Sequence, residues 1–261
     1  MPELIECRVM AETLRKKIFG KTLHSIKTEA KFKGAGISEL KLPLVVDGVD
    51  SYGKKIFIRF KNRQYLVNAP LMDGRWLFKK GNNTRAVFKF DDFEIYYDVS
   101  RFGGGVDVIS DPIKFIIDKK LGPDPFLRLV SKEEFCERFR KKTYQKHEIS
   151  KALLNQDIIV GIGNWMKAEI LYEAKINPHR LVSNITDEEL ETCRVKMYEV
   201  IDLAYQNKGL TVHSYWSPDG SAGTYPRKVY GLKQDPHGNP ITHEPNKGNI
   251  RGNDWVPNVQ K

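Results

Sequence analysis

An α+β fold is expected from three features of the 261-residue sequence: an amphipathic helix at the start, a long run of short β-branched and aromatic segments after it, and helical texture beyond a Leu-Gly-Pro-Asp-Pro break at 121–125. The first segment, Glu3 to Phe19, sets Ile5, Val9, Leu14 and Ile18 at three-to-four-residue spacing among charges, with Gly20 as its stop. From Thr22 to about Val108, the segments Lys55–Phe60, Gln64–Val67, Arg75–Phe78, Ala86–Phe90 and Glu94–Val99 read as strands. They are separated by Gly53, Gly74, Gly81-Asn82-Asn83 and Asp91-Asp92. Six or more such strands close behind a helix predict a β-sandwich or barrel.

Leu121 to Pro125 is a rigid break and a natural domain boundary. Beyond it, Ser131 to Arg140 opens with Ser131 as N-cap and Glu134 three residues on, a capping-box pattern. Ile149–Gln156, Asn164–Ala174 and Thr186–Gln206 are further helices. After Lys208 the chain becomes Gly- and Pro-rich loop and short strand.

Composition narrows the function. Apolar residues make up 40%, so the chain is not disordered. No apolar run reaches the roughly 18 residues of a membrane span, and the N-terminus lacks the apolar block of a signal peptide. Cys7, Cys136 and Cys193 are far apart, which leaves neither a disulfide framework nor a CxxC metal site. An intracellular soluble protein is expected. The 43 Lys plus Arg against 33 Asp plus Glu give a net charge of +10. That surplus points either to a polyanionic partner, nucleic acid first, or to a basic enzyme with a solvated lysine surface.

The N-terminus is the most unusual feature. A small second residue permits removal of Met1, leaving Pro2 as a secondary amine at a helix start. Taken alone, Pro2 needs no function, because proline is well tolerated there. A free α-amine, however, titrates near 7.7–8.0 rather than about 10.4 as in lysine, and the helix dipole favours its neutral form. Such an amine can attack a sugar C1′ and leave a cationic iminium. Glu3 and Glu6 beside it can exchange protons with the sugar. A second constellation, Val160-Gly161-Ile162-Gly163-Asn164-Trp165, lies between two helices. It reads either as a plain Gly-rich turn or as a hairpin whose backbone N–H groups and Asn164 amide grip a phosphate.

These segments, with several others in order, resemble the formamidopyrimidine-DNA glycosylase and endonuclease VIII family. Met1-Pro2-Glu3-Leu4-Ile5-Glu6 is similar to its MPELPE start, Leu71-Met72-Asp73-Gly74-Arg75-Trp76 to its LxMxGxW turn, Arg101-Phe102-Gly103 to its RRFG loop, and 121–125 to its LGPEPL boundary. Gly53-Lys54, the GIGN segment, Val229-Tyr230-Gly231 and Arg251-Gly252-Asn253 also fit. The resemblance implies an N-terminal helix on a two-layer antiparallel β-sandwich (1–120), a helix-two-turn-helix DNA-binding domain (126–228) and a C-terminal β-hairpin finger (229–261). It implies a bifunctional DNA glycosylase and abasic-site lyase that excises oxidised bases, purines favoured, from double-stranded DNA. A monomer is expected, with no cofactor and no membrane partner. A non-catalytic protein that binds damaged DNA is the alternative.

The implied roles are specific. Pro2 is the Schiff-base nucleophile, Glu3 the general acid and base, and Glu6 its support. Lys54 meets phosphates beside the lesion. Met72 and Phe102 fill the hole left by the flipped nucleotide, with Arg101 near them. Gly163, Asn164 and Arg251 bind flanking phosphates. Gly209 to Tyr225, with Tyr215, Trp216 and Ser217, resembles the loop that closes over the everted base. The sequence also departs from the family. Where the finger carries four zinc-binding cysteines, this chain has Gln234, His237, Val256 and Val259. Zinc needs about four N or S ligands, so a zincless finger with Trp255 and Ile241 inside is expected. Ser100 stands for the first Arg of the RRFG loop and Ala69 for a common His. The remaining histidines, His179 among them, are expected on the surface or in packing. The basic run Arg138–Lys142 has either a DNA role or a solvated one.

Overall fold

A computed structural model of the chain describes residues 2–29, 32, 34–100, 104–211, 215–247 and 251–261. The chain forms two compact units: 1–119 with 205–225, and 120–204 with 226–261.

The first unit begins with α1 (Leu4–Ile18), whose buried face carries Cys7, Met10, Ala11, Leu14 and Ile18. The strands are β1 (Thr22–Leu23), β2 (Ser25–Thr28), β3 (Leu44–Tyr52), β4 (Lys55–Phe60), β5 (Tyr65–Asn68), β6 (Arg75–Leu77), β7 (Thr84–Lys89), β8 (Glu94–Asp98) and β9 (Val106–Ile109). They make two antiparallel sheets, ordered β1-β3-β4-β5-β9 and β2-β7-β8-β6. Val46, Val49, Ile56, Ile58, Phe60 and Leu66 of one sheet share a core with Trp76, Ala86, Phe88, Ile95 and Tyr97 of the other and with the α1 face. One helix and two half-buried sheets therefore enclose a single apolar layer. Each large apolar side chain in it is worth about 1.5–3 kcal/mol against exposure.

The five segments expected as strands are all strands. β1, β2, β3 and β9 join them. A short helix, α2 (Pro112–Asp118), also appears, although none of its residues is buried. Asp111 caps it by accepting from the Lys114 N–H at 2.9 Å, and Pro112 sits in its first turn, where a missing N–H costs nothing.

The second unit holds α3 (Lys132–Arg140), α4 (Ile149–Leu154), α5 (Asn164–Glu173) and most of α6 (Asp187–Gln206), with the hairpin β10 (Thr242–His243) and β11 (Asp254–Trp255). Ser131 caps α3 by accepting from the Glu134 N–H at 3.2 Å. The expected reciprocal bond gives way to ion pairs: the Glu134 carboxylate binds Arg128 at 2.7 and 2.8 Å and Arg138 at 3.0 Å. Two guanidinium groups offer that carboxylate charge-assisted bonds, which are stronger than a neutral N–H. A complete capping box stands at α6, where Thr186 and Glu189 exchange bonds at 2.8 and 3.2 Å.

The units depart from the expected division in two ways. Residues 205–225 group with the sandwich rather than with the helices, because their polar groups bond there. The Leu210 N–H donates to Glu6 at 2.7 Å, the Phe78 N–H to the Pro218 carbonyl at 3.2 Å, and the Tyr205 hydroxyl to Glu12 at 2.9 Å. The finger, in turn, is part of the helical unit. Among the described residues no helix is long and apolar enough to cross a membrane.

Candidate active site and nucleic-acid interface

The N-terminal corner of the first unit is built around Glu6. Pro2 is buried, Glu3 is 2% exposed and Glu6 is fully buried. Glu6 Oε2 accepts the Glu3 N–H at 2.8 Å, which fixes the entry of the chain into α1. Its Oε1 accepts the Leu210 N–H at 2.7 Å. One carboxylate thus ties the N-terminus to the start of the 209–225 loop. Glycine is favoured at 209: its φ is +81°, and a Cβ would lie 2.5 Å from Glu6 Oε1. Burial, and then the negative charge of Glu3, push Glu6 up to about 7, more than its backbone N–H donors bring it down. Near neutral pH this carboxyl can therefore hold or release a proton.

The 209–225 loop is closed on itself. The Thr211 N–H donates to the Gly223 carbonyl and the Tyr225 N–H to the Gly209 carbonyl, at 3.1 and 3.0 Å. Tyr215 and Ser217 are buried and Trp216 is 42% exposed. Ser217 Oγ lies 3.1 Å from the Thr13 hydroxyl of α1. The Tyr215 hydroxyl has no hydrogen-bond partner among the described residues, and burial, then the charge of Glu6, raise its pKa.

Lys54 sits at the tip of the two-residue turn between β3 and β4 and is half-buried. Its charge reaches Cys7 on α1, where it opposes the upward push of burial on that thiol. Met72 is 39% exposed on the turn before β6. That turn needs Gly74, because a Cβ there would meet Tyr97 Oη at 2.1 Å and the Pro70 carbonyl at 2.5 Å. Ser100, in place of the family's arginine, spends both groups on the same turn: its N–H bonds Asp73 at 3.0 Å and its hydroxyl bonds the same carboxylate oxygen. Arg101 and Phe102 lie outside the described residues.

Gly163 and Asn164 stand in the second unit. Gly163 caps α5 and Asn164 is its first residue, so the positive end of the helix is at this point. Gln156 shapes the preceding hairpin. Its Oε1 accepts the Gly161 N–H at 2.9 Å, and its amide donates to the carbonyls of Leu154 and Ile162 at 2.8 and 3.0 Å. The 121–125 segment packs on this hairpin, with the Gly122 N–H on the Gln156 carbonyl at 2.8 Å. Arg251 is exposed. The basic run is tied inward at its two arginines. Arg138 donates to the Asp157 carbonyl at 3.3 Å, and Arg140 to the carbonyls of Val182 and Ile185 at 2.9 and 2.6 Å.

Sequence reasoning missed three buried or half-buried groups of this unit. Glu169, on α5, accepts the N–H groups of Lys228, Val229 and Tyr230 at 2.8–3.0 Å and so fixes the entry to the finger. Lys167 is 1% exposed. His179 bridges Glu148 at 3.1 Å and Glu244 at 2.7 Å and meets the Trp255 ring edge-on. Lys167 and Glu169, charged residues inside a short helix, read as solvated in a sequence, their nearness to the Gly-rich turn being the visible signal; His179 was read as surface or packing, without its two carboxylate partners.

At the finger, Val256 is fully buried against Tyr172, Val229 and Ile241, with Val259 and Leu232 packed on them. Trp255, expected inside, is half-buried because its indole N–H reaches Glu244 at 2.9 Å. Between Gln234 and His237, the Asp235 carboxylate gathers the N–H groups of His237 and Asn239, the Asn239 amide and the Tyr172 hydroxyl, at 2.8–3.1 Å. Among the described residues no group of three or more His, Cys, Asp or Glu is placed to hold a metal ion.

The comparisons with known proteins agree with the fold. Residues 1–105 match the formamidopyrimidine-DNA glycosylase N-terminal domain and residues 121–215 its H2TH domain. The formamidopyrimidine-DNA glycosylase of Streptococcus mutans is 27% identical over 276 residues, covering all of both chains. The MutM (Fpg) protein of Thermus thermophilus superposes with a TM-score of 0.90 at 25% identity, over 99% of this chain and 98% of that one. A Lactococcus lactis Fpg mutant bound to Fapy-dG containing DNA shares the fold over the whole of both chains, with a TM-score of 0.88 at 24% identity. With residues 1–105 and 121–215 matched to successive domains of one family, this chain belongs to the formamidopyrimidine-DNA glycosylase family and is a DNA glycosylase of base excision repair.

Proposed function

We propose that the enzyme is bifunctional: it excises oxidised bases, purines favoured, from double-stranded DNA and then cuts the strand at the abasic site. The observation that carries this reading is the buried corner in which Glu3 and Glu6 lie beside Pro2, with Glu6 pushed up to about 7 and bonded both to the chain start and to the 209–225 loop. Two carboxyl groups within electrostatic reach share their protons as a pair, which suits a site that must both donate and accept.

The reaction follows from that chemistry. The damaged nucleotide leaves the stack, at a cost of a few kcal/mol that a damaged pair lowers. The freed Pro2 nitrogen attacks C1′ as the C1′–base bond breaks and the base departs with a proton; the nitrogen then loses its own proton, and its lone pair opens the C1′–O4′ bond, with O4′ taking a proton, to leave a cationic iminium. The iminium acidifies C2′, a carboxylate removes that proton, and the phosphate on the 3′ side leaves as the new double bond forms. Elimination of the second phosphate can follow. Glu3 carries the proton. Glu6 holds the Glu3 backbone in place and keeps net negative charge in the corner low.

The other residues bind. Lys54 meets phosphates beside the lesion, Met72 with Arg101 and Phe102 fills the vacated stack, and Gly163, Asn164 and Arg251 hold flanking phosphates. Tyr215, Trp216 and Ser217 line the loop over the everted base. No metal or cofactor takes part, and the enzyme acts as an intracellular monomer.

Borohydride reduction on a duplex with an abasic site tests the central step. A stable protein–DNA adduct is expected with the free N-terminus and none with an N-terminal extension. Trapping by the extended protein would move the nucleophile elsewhere, to Lys54 first. No trapping by either would remove the lyase step and leave a glycosylase that does not form a Schiff base.

A further inference from the structure

We propose that Lys167 is a positioning residue that sets the orientation of the Asn164 amide and the place of the Arg251 segment together. The inference rests on the reading that Asn164 and Arg251 hold DNA phosphates, and it extends that reading to a residue that touches no DNA.

The geometry is unusual for a lysine. Its side chain is 1% exposed, and Nζ donates to Asn164 Oδ1 at 2.9 Å, the Gly252 carbonyl at 2.9 Å and Asn253 Oδ1 at 2.8 Å. A buried ammonium is costly unless its protons are taken up, so these three acceptors are held firmly. Asn164 and Lys167 lie three positions apart on one face of α5. The other two acceptors follow Arg251 directly in the chain.

The direction of the amide follows from chemistry alone. An ammonium has donors and no lone pair, so only the oxygen of Asn164 can face it. The Asn164 nitrogen, with its two donors, must then point away, as a phosphate contact requires. Asn253 obeys the same rule independently. Its oxygen faces Lys167 and its nitrogen donates to Glu244 Oε2 at 3.0 Å. Glu244 is fixed in turn by the indole N–H of Trp255 at 2.9 Å and by His179 at 2.7 Å. The Gly252 N–H is held by Asn246 Oδ1 at 2.8 Å. Lys167 is therefore the joint at which the start of α5 and the finger are locked in register.

A double-mutant cycle on binding tests this. The probe is a duplex carrying an uncleavable tetrahydrofuran abasic analogue. Lys167→Met should weaken binding about tenfold, within the range for groups of one hydrogen-bond network. In the Asn164→Ala background most of that loss should vanish, because the amide being oriented is gone. Lys167→Gln, which keeps two donors, should recover much of the affinity. The single-turnover excision rate at saturating enzyme should stay unchanged, because a flanking contact is made equally in ground and transition states. A merely structural lysine would give penalties that add with Asn164→Ala, and that result overturns the proposal. So does wild-type affinity in Lys167→Met when Asn164→Ala alone is weakened. If Asn164→Ala and Arg251→Ala both bind like wild type, the phosphate reading itself falls and takes the proposal with it. Should Lys167→Met not fold, Lys167→Ala, which lets water reach the three acceptors, carries the same cycle with the same two outcomes.

Discussion

Two buried carboxylates, one in each unit, are driven in opposite directions. Glu6 receives the N–H groups of Glu3 and Leu210 among its backbone donors, yet burial and the neighbouring Glu3 lift it to about 7. Asp235 receives two backbone N–H groups, a side-chain amide and a tyrosine hydroxyl. Burial pushes its pKa up, but the donors outweigh it and hold the group below the ordinary carboxylate range. At Glu6, burial and then the Glu3 charge outweigh the backbone donors; at Asp235, the side-chain and backbone donors outweigh burial. Where the proposed chemistry needs a mobile proton, burial and a like charge make the ionised form costly. Where the finger needs a fixed shape, the charge is fully met.

The largest effect that could break this contrast is chemical. Glu3→Gln keeps the shape of the corner and removes a proton carrier, so base excision should fall by roughly 10²–10⁴-fold while binding to an abasic-analogue duplex persists. Single-turnover excision alongside a binding titration measures both. If Glu3→Gln excises at the wild-type rate, the Glu3–Glu6 corner is not where protons move.

The next effect is on stability against pH, and the two carboxylates should give opposite slopes. The folded pKa of Glu6 is raised, so between about pH 4.5 and 7 the folded state holds a proton that the unfolded chain has released. Stability must therefore fall as pH rises through that window, by on the order of 3 kcal/mol. Glu6→Gln should flatten this fall. The folded pKa of Asp235 is depressed, so its contribution is present above its unfolded value of 3.8 and is lost as pH drops through the lower folded pKa. Asp235→Asn should cost about 1–3 kcal/mol near neutral pH, because it disrupts an acceptor that buried donors rely on. Denaturant midpoints measured from pH 3 to 8 for both variants decide it. Two slopes of the same sign would show that the two corners are electrostatically alike.

How far the sequence revealed each corner is itself instructive. The strands bounded by Gly and Asp turns, and the helices opened by Ser131 and Thr186, were visible because their signals are local. β3 was not, because Asp47, Gly48 and Asp50 interrupt its apolar pattern. α2 was hidden for the opposite reason: Ile113 and Ile117 suggest burial, yet stand 69% and 67% exposed. Pro2, Glu3 and Glu6 were legible as neighbours in the chain. The bond from Glu6 to Leu210 crosses 204 positions, and no spacing could disclose it. The loss of finger cysteines could be counted, but the Asp235 turn and the Val256 core that stand there could not.

A smaller effect sharpens the comparison at Gly209. An alanine there must adopt a φ of +81° with its Cβ 2.5 Å from the Glu6 carboxylate. The strain alone costs about 1 kcal/mol, and the carboxylate must shift away from the Leu210 N–H. Gly209→Ala should thus lower the melting temperature modestly and slow excision, whereas alanine at Gly238 in the finger, where nothing lies within 4 Å, should leave excision unchanged. Equal effects at the two glycines would mean that the approach of the loop to Glu6 plays no part in the reaction.

The smallest expected effect is none at all, and it bears on the finger. Of the four positions where the family places cysteines, Val256 is buried in an apolar cluster, Val259 packs on that cluster, and Gln234 has no side-chain group that ordinarily ligates zinc. That leaves His237, one ligand where about four are needed. Each buried apolar side chain of the cluster contributes about 1.5–3 kcal/mol, and the Asp235 bonds close the turn, so the hairpin has a source of order that needs no ion. Exhaustive chelation should leave both excision and melting temperature where they were. Val256→Ser, by contrast, should loosen the hairpin and weaken DNA binding through the Arg251 segment, with the unimolecular excision step intact at saturating enzyme. Stoichiometric zinc in the purified protein, lost together with activity on chelation, would show that a metal rather than Val256 and Asp235 holds the finger.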